Sequence, residues 1–165
     1  MALLITKADI AKLREIAPGV RDDKINPFIE DAENSDLRSL LGERLFVAVQ
    51  TTPTDHAELL EGGPYEFNGK NYHQPGLNKV LVLFAYAYYV LKGSATDTPW
   101  GFVEKTGQNS QAVSGSEKRH IYNEERELAG KYFAQVQDFM ARTEYPLYND
   151  SCQPARSGFR ISKIS

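Results

Sequence analysis

Within YEFNGKNYHQPGLNKVLVLFAYAYYVLKG (Tyr65–Gly93), a tight-turn signal runs straight into a helix that is apolar on nearly every side. Asn68-Gly69 suits a two-residue hairpin turn, because both turn positions need φ > 0. Tyr65, Phe67 and Tyr72 flank it, so a small hairpin is expected. After Gln74-Pro75-Gly76 the pattern becomes helical from Leu77 to Leu91. Leu77, Val80, Leu81, Phe84, Ala85 and Tyr88 make one face, and Val82, Tyr86, Tyr89 and Val90 make much of the rest. A helix apolar all round is central to a bundle or to an assembly. With no ligand site to explain its second face, other copies of the same chain are expected to cover it.

The composition bounds the rest. The chain has 165 residues, the length of one ordinary domain. Its 41% hydrophobic and 25% charged content is that of a globular protein. Net charge is −3, and residues 151–165 carry Arg156, Arg160 and Lys163 without an acid, which leaves −6 on residues 1–150. An acidic body excludes a whole-protein electrostatic grip on nucleic acid. One cysteine, Cys152, excludes an intrachain disulfide. The start MALLITKADI has no secretory-leader pattern. The longest apolar run, Val80–Leu91, is shorter than the ~20 residues of a membrane-spanning helix.

Elsewhere the chain reads as mainly α. TKADIAKLREI predicts a first helix, with Thr6 as cap, Asp9 closing a capping box, and Ile10, Leu13 and Ile16 inward. NPFIEDAENSDLRSLLG predicts a second, capped by Asn26 with Pro27 at its first position. Gly42 ends it and ERLFVAVQ forms a third. A turn or two is expected at Asp55–Leu60. GSATDTPWGFVEKTGQNSQAVSGS has no helical period and reads as an extended arm or long hairpin, carrying Trp100, Phe102 and Val103. Ser114 or Ser116 then caps the longest helix, whose apolar stripe is Ile121, Leu128, Tyr132, Val136, Phe139 and Met140. The fold class expected is a small helical bundle of about four to five helices. To it are added a short β-hairpin, an extended arm at 94–115 and an irregular C-terminal tail. The organisation expected is one helical domain over 1–145 with that tail over 146–165.

Catalytic chemistry finds little support. His56, His73 and His120 lie in separate segments, without metal-ligand spacing. Cys152 has no activating helix start beside it. The acid groups Asp22-Asp23, Glu30-Asp31-Glu33 and Glu124-Glu125-Glu127 fall at helix starts or on helix faces, where solvated acids are expected. LEGGPYEFNG lacks the order of a phosphate loop. Phe84, Tyr86, Tyr88 and Tyr89 have no convergent polar set that would make them a cofactor pocket. No catalytic residue, cofactor or metal is expected. The basic tail suits weak phosphate contact or docking on an acidic protein surface.

The order of LITKADIAKLREI, INPFIEDAENSDLRSLLGERLFVAV, the Tyr65–Leu91 stretch, TPWGFVEKTGQNSQAVSGSEKRHIYNEERELAGKYF and the final GFRISKI resembles the head–tail adaptor (connector, or head-completion) proteins of tailed bacteriophages. The likeness is to a branch found in phages of Bacteroidetes-type hosts, and it spans nearly the whole chain. It implies a non-enzymatic virion subunit, made in the host bacterial cytoplasm and resident in the neck between portal and tail. Such subunits form a homo-oligomeric ring of about twelve copies, closed by head-to-tail contacts. The ring docks on the portal protein, extends the DNA channel without sequence-specific binding, and meets the next neck or tail protein; no membrane is involved. The contact residues it implies are Pro99, Trp100, Phe102 and Val103 in the arm, and Arg156, Phe159, Arg160 and Ile161 in the tail. Phe67 at the hairpin is added to them. The alternatives are another neck, tail-completion or protein-interaction module without catalysis, and, ranked last, a small enzyme with an unrecognised site.

Overall fold

The computed structural model describes residues 3–93, 95–98, 101–104 and 113–148, with 95–104 described through the backbone alone. Among them are seven α-segments: α1 (Lys7–Leu13), α2 (Asp22–Asp31), α3 (Arg38–Leu41), α4 (Glu43–Thr51), α5 (Ala57–Glu61), α6 (Leu77–Lys92) and α7 (Gly115–Arg142). A π-helical segment, Ala32–Leu37, joins α2 to α3 without a break, because every residue at its borders keeps helical dihedrals. Counting that rod once gives six helices, in a mainly α fold. Two antiparallel hairpins complete it, β1 (Gly63–Phe67) with β2 (Lys70–Gln74), and β3 (Ala95–Thr98) with β4 (Gly101–Glu104).

Helix α6 is the axis of the molecule. It packs on α7, α2, the π segment, α1 and α5. Leu77, Val80, Leu81, Val82, Leu83, Phe84, Ala85 and Ala87 are all buried. Of the second face, Val82 is covered by the chain's own helices, which corrects the expectation there, while Tyr86, Tyr89 and Val90 are half-buried. The burial follows from the helix's apolar sequence, and its partners are α1, α2, the π segment, α5 and α7.

Three further readings are corrected. The second helix begins at Asp22, with Arg21 as its cap, so Asn26 is no cap and Pro27 stands inside the helix. Ile25 and Ile29, four residues apart and both fully buried, demand helix ahead of Pro27; their burial outweighs the one hydrogen bond proline cannot give. In α1 the stripe shrinks to Ile10, since Leu13 is exposed and the helix stops there, with Arg14 extended. The Asp9 carboxylate does accept the Thr6 N–H at 2.9 Å, as the capping-box reading requires. Along α7, Val136, Phe139 and Met140 are buried as expected and Ile121, Leu128 and Tyr132 are half-buried, while Ala129 and Phe133 join the core unannounced. Ser114 is the cap, its Oγ accepting the Glu117 N–H.

The β1–β2 hairpin turns at Asn68-Gly69, both with positive φ. Its base is pinned by a backbone crossing. A Cβ on Gly62 would stand 2.5 Å from the Gly76 nitrogen, and one on Gly76 would stand 2.5 Å from the Leu60 carbonyl oxygen. Only glycine fits both positions, where φ is +78° and +81°. Buried Gln74 ties the same crossing, donating to the Glu58 carbonyl at 2.7 Å and accepting the Gly76 N–H at 2.8 Å. No helix among the described residues is long and apolar enough to cross a membrane.

Candidate functional site

A π segment carries one residue more per turn than an α-helix and turns side chains inward that an α-helix would leave outside. Here it draws in two acids, Glu33 and Asp36, which are only 2% and 8% exposed. The sequence reading placed Glu33 on a solvated face; that is corrected. Its carboxylate accepts the Leu4 N–H at 2.7 Å and the Gln50 amide N–H at 3.1 Å, and so ties the N-terminal segment and α4 to the rod. Burial pushes its carboxyl above the ordinary range, against the pull of those two donors; Glu30 adds a further upward push, and the chain's amino terminus contributes the weakest pull downward.

Asp36 faces the other way, into α7. Arg126 donates to its Oδ1 at 2.6 Å. The guanidinium lies 5.1, 5.7 and 5.3 Å from the ring centroids of Phe84, Tyr88 and Tyr122. Burial, and then the Asp36 charge, push the Tyr88 phenol up. Asp36 Oδ2 and Arg126 Nη1 are buried without a hydrogen-bond partner, so the pair is only partly satisfied. The four aromatics Phe84, Tyr86, Tyr88 and Tyr89 serve packing: Tyr88 lies against Tyr122 and Tyr89 against Phe28.

Beside Glu33 opens a cavity of about 460 Å³, lined by Leu3, Asn26, Glu30, Glu33, Asn34 and Gln50. A second, more apolar hollow of about 270 Å³ lies between α1, α5 and α6, where Leu13, Lys79 and Val82 meet. The histidines do not converge on either. His56 Nδ1 is 2.8 Å from the Tyr145 hydroxyl, His73 is exposed on β2, and His120 stands 3.4 Å from Glu124 on the exposed side of α7. Among the described residues no three His, Cys, Asp or Glu side chains gather as metal ligands. Glu125, read as solvated, holds Arg14 through two hydrogen bonds of 2.9 and 3.0 Å.

Of the expected contact residues, Phe67 is half-buried at the end of β1, with the Arg142 guanidinium 5.7 Å from its ring. Arg142 also donates to the Tyr65 hydroxyl and sits 4.4 Å from the Tyr72 ring, so one cation fastens the hairpin to the end of α7. Phe102 and Val103 stand in β4, paired in register with Asp97 and Thr96. Pro99, Trp100, Arg156, Phe159, Arg160 and Ile161 lie outside the described residues, as does Cys152. The buried acids Glu33 and Asp36, and the half-buried Arg126 that meets Asp36, escaped the sequence reading. The one sequence signal for it is the five-residue step between buried Ala32 and Leu37, which fits π rather than α spacing.

No curated protein and no solved structure matches this chain. A model described as a family of unknown function, DUF6712, matches residues 37–158, from the π segment through both hairpins and α7. With well over half its length inside that match, the chain belongs to the DUF6712 family.

Proposed function

We propose that the chain is a structural subunit of a head–tail adaptor ring in a tailed bacteriophage. In this reading the ring docks on the portal, extends the DNA channel and joins the neck or tail. The observation that carries the reading, beside the sequence resemblance, is the β3–β4 hairpin. It sits between α6 and α7 and, among the described residues, forms a sheet of two strands. Each strand of such a sheet has one backbone edge without a ladder partner, and an open edge is the surface that accepts a strand from another chain. A helical body with an inserted arm suits a subunit that laces to its neighbours. The self-covered α6 means that the body folds before assembly, so ring contacts fall to the arm and to residues 149–165. Electron microscopy of the chain mixed with its portal tests this. Rings capping the narrow end of the portal are expected; a monomer that never decorates the portal at saturating concentration would overturn the reading.

A further inference from the structure

Two segments of the chain carry opposite charge and matching backbone chemistry. The hairpin stretch ATDTPWGFVE, residues 95–104, holds Asp97 and Glu104 and no base. Residues 151–165 hold Arg156, Arg160 and Lys163 and no acid. Within them, in FRISKI (159–164), Phe159 and Ile161 alternate with Arg160 and Ser162, which is strand spacing. The hairpin has backbone groups to offer such a strand. Thr98 pairs with Gly101 across the turn, and from there hydrogen-bonded and non-hydrogen-bonded pairs alternate. Asp97–Phe102 and Ala95–Glu104 are the non-hydrogen-bonded pairs, so the N–H and C=O groups of these four residues point away from the partner strand. The same register places Asp97, Phe102 and Glu104 on one face. Among the described residues no third strand pairs with either edge. The first hairpin is the poorer acceptor: β1 carries Pro64, which has no N–H to give, and β2 lies against α7.

Reach decides which copy supplies the strand. Lys79 Nζ lies 4.4 Å from the centroid of the Tyr132 ring, and the Tyr88 ring lies 6.0 Å from that of Tyr122, so α6 and α7 run antiparallel. The end of α6, which β3 follows after two residues, is therefore beside the start of α7. The tail leaves from the other end of α7, a helix of 28 residues and so roughly 42 Å long. Phe159 is 11 residues beyond Tyr148, a stretch that spans ~17–20 Å as a flexible chain and about 36–40 Å when pulled straight. A tail on its own hairpin would hold those residues taut, and a tail on a neighbour's hairpin would not. We propose that FRISKI of one copy adds as a third strand to the open edge of the β3–β4 hairpin of the next copy, with Arg160 and Lys163 set against Asp97 and Glu104. Main-chain hydrogen bonds supply the affinity, and the charges select the segment. Donor and acceptor lie at opposite ends of α7, so the contact is head-to-tail and passes from copy to copy, as a ring requires. In taking the acceptor as the next ring subunit the inference rests on the adaptor reading; the strand pairing itself needs no portal.

Two measurements on the full chain, both without portal, test it. A synthetic peptide of residues 154–165 is titrated into isotope-labelled chain and followed by NMR. The Phe102 and Glu104 amides are expected to shift and to exchange more slowly with solvent, and the effect to weaken as salt rises. No change at the β3–β4 amides up to about 1 mM peptide, the effective concentration that a short linker supplies, overturns the pairing. The second measurement follows self-association by sedimentation. Wild type is expected to associate as its concentration rises, and a strict monomer up to about 1 mM overturns the inference. Asp97→Lys with Glu104→Lys in one chain, and Arg160→Glu with Lys163→Glu in another, should each weaken association about tenfold or more, with melts like that of wild type. An equimolar mixture of the two chains should recover, because each tail then meets a hairpin of opposite charge on another copy. A mixture no better than its components overturns exchange between copies, as does recovery only when all four substitutions stand in one chain. If rings cap the portal while the pairing fails, this inference falls and the adaptor reading stands. If the pairing holds and the portal is never decorated, the adaptor reading falls and the pairing stands.

Discussion

Replacing Arg126 by methionine leaves Asp36 as a buried carboxylate without its cation. The Asp36 side chain is 9% exposed and the Arg126 side chain 31%, so the two partners are unequal in what they lose. Breaking a buried pair from the basic side costs about 3–5 kcal/mol. Methionine packs on the Phe84, Tyr88 and Tyr122 rings that arginine covered, which replaces the lost cation–π attraction by a sulfur–aromatic contact of ~0.3–1.5 kcal/mol. The net expectation for Arg126→Met is about 3–4 kcal/mol, a fall of roughly 6–15 °C in Tm for a domain of this size. Asp36→Leu should cost less, about 1–2 kcal/mol, because the arginine side chain as a whole is about a third exposed and keeps its three rings. Since Asp36 Oδ2 and Arg126 Nη1 have no partner even in the intact pair, the double variant should return to within about 1 kcal/mol of wild type. The cycle then shows a coupling of about 3 kcal/mol or more. Urea unfolding of the four proteins at pH 7, with equal m-values, measures each corner. Asp36→Leu costing as much as Arg126→Met, or a double variant no better than the sum of the singles, would refute the assignment of the penalty to a stranded carboxylate.

Three other outcomes are expected. Glu33→Gln should be more stable than wild type at neutral pH: burial raises the folded carboxyl above its ordinary value of 4.5, so stability present below pH 4.5 is lost as pH rises through the raised value, and the glutamine variant escapes that loss. The two chemical-denaturation curves should therefore converge in acid, and a gap that widens in acid would contradict the burial of an unbalanced charge. Gly76→Ala, with φ +81° and a Cβ driven into the Leu60 and Glu61 backbone, should cost about 3 kcal/mol or more, whereas Gly130→Ala on α7 should be neutral or stabilising by up to about 1 kcal/mol; circular-dichroism melts compare them. Trp100→Ala and removal of residues 154–165 should each leave the melt of the isolated chain unchanged and weaken ring formation on the portal, by about 2 kcal/mol for the tryptophan as an interface anchor; a truncated chain that fails to fold would place the tail in the core instead.

The parts of the fold set by local chemistry were legible. Asn68-Gly69 specified the hairpin, Ser114 specified the start of α7, and the run from Leu77 specified a central helix. What covers that helix was not legible, because its neighbours come from both directions along the sequence, from α1 near the start to α7 beyond the arm. Pro27 misled the reading of α2: its preference for a first turn is real, yet Ile25 and Ile29 bury together and carry the helix past it. The candidate site was hidden for a related reason. Glu33 and Asp36 look like surface acids in an α register, and it takes the π segment to turn them inward and Arg126, ninety residues along, to meet one of them. Long-range charge partners leave no periodic trace, as the Arg14–Glu125 pair also illustrates.

The contact between Gly62 and Gly76 divides the first hairpin into a welded root and a free tip. Foreign residues spliced between Asn68 and Gly69 lengthen a solvent-facing loop, at an entropic cost that grows only slowly with length. The same splice at the root would prise apart two backbones that already touch. The tip is thus a natural place for an epitope or a fluorescent tag, and a way to see by label where each copy of the chain sits in a larger particle.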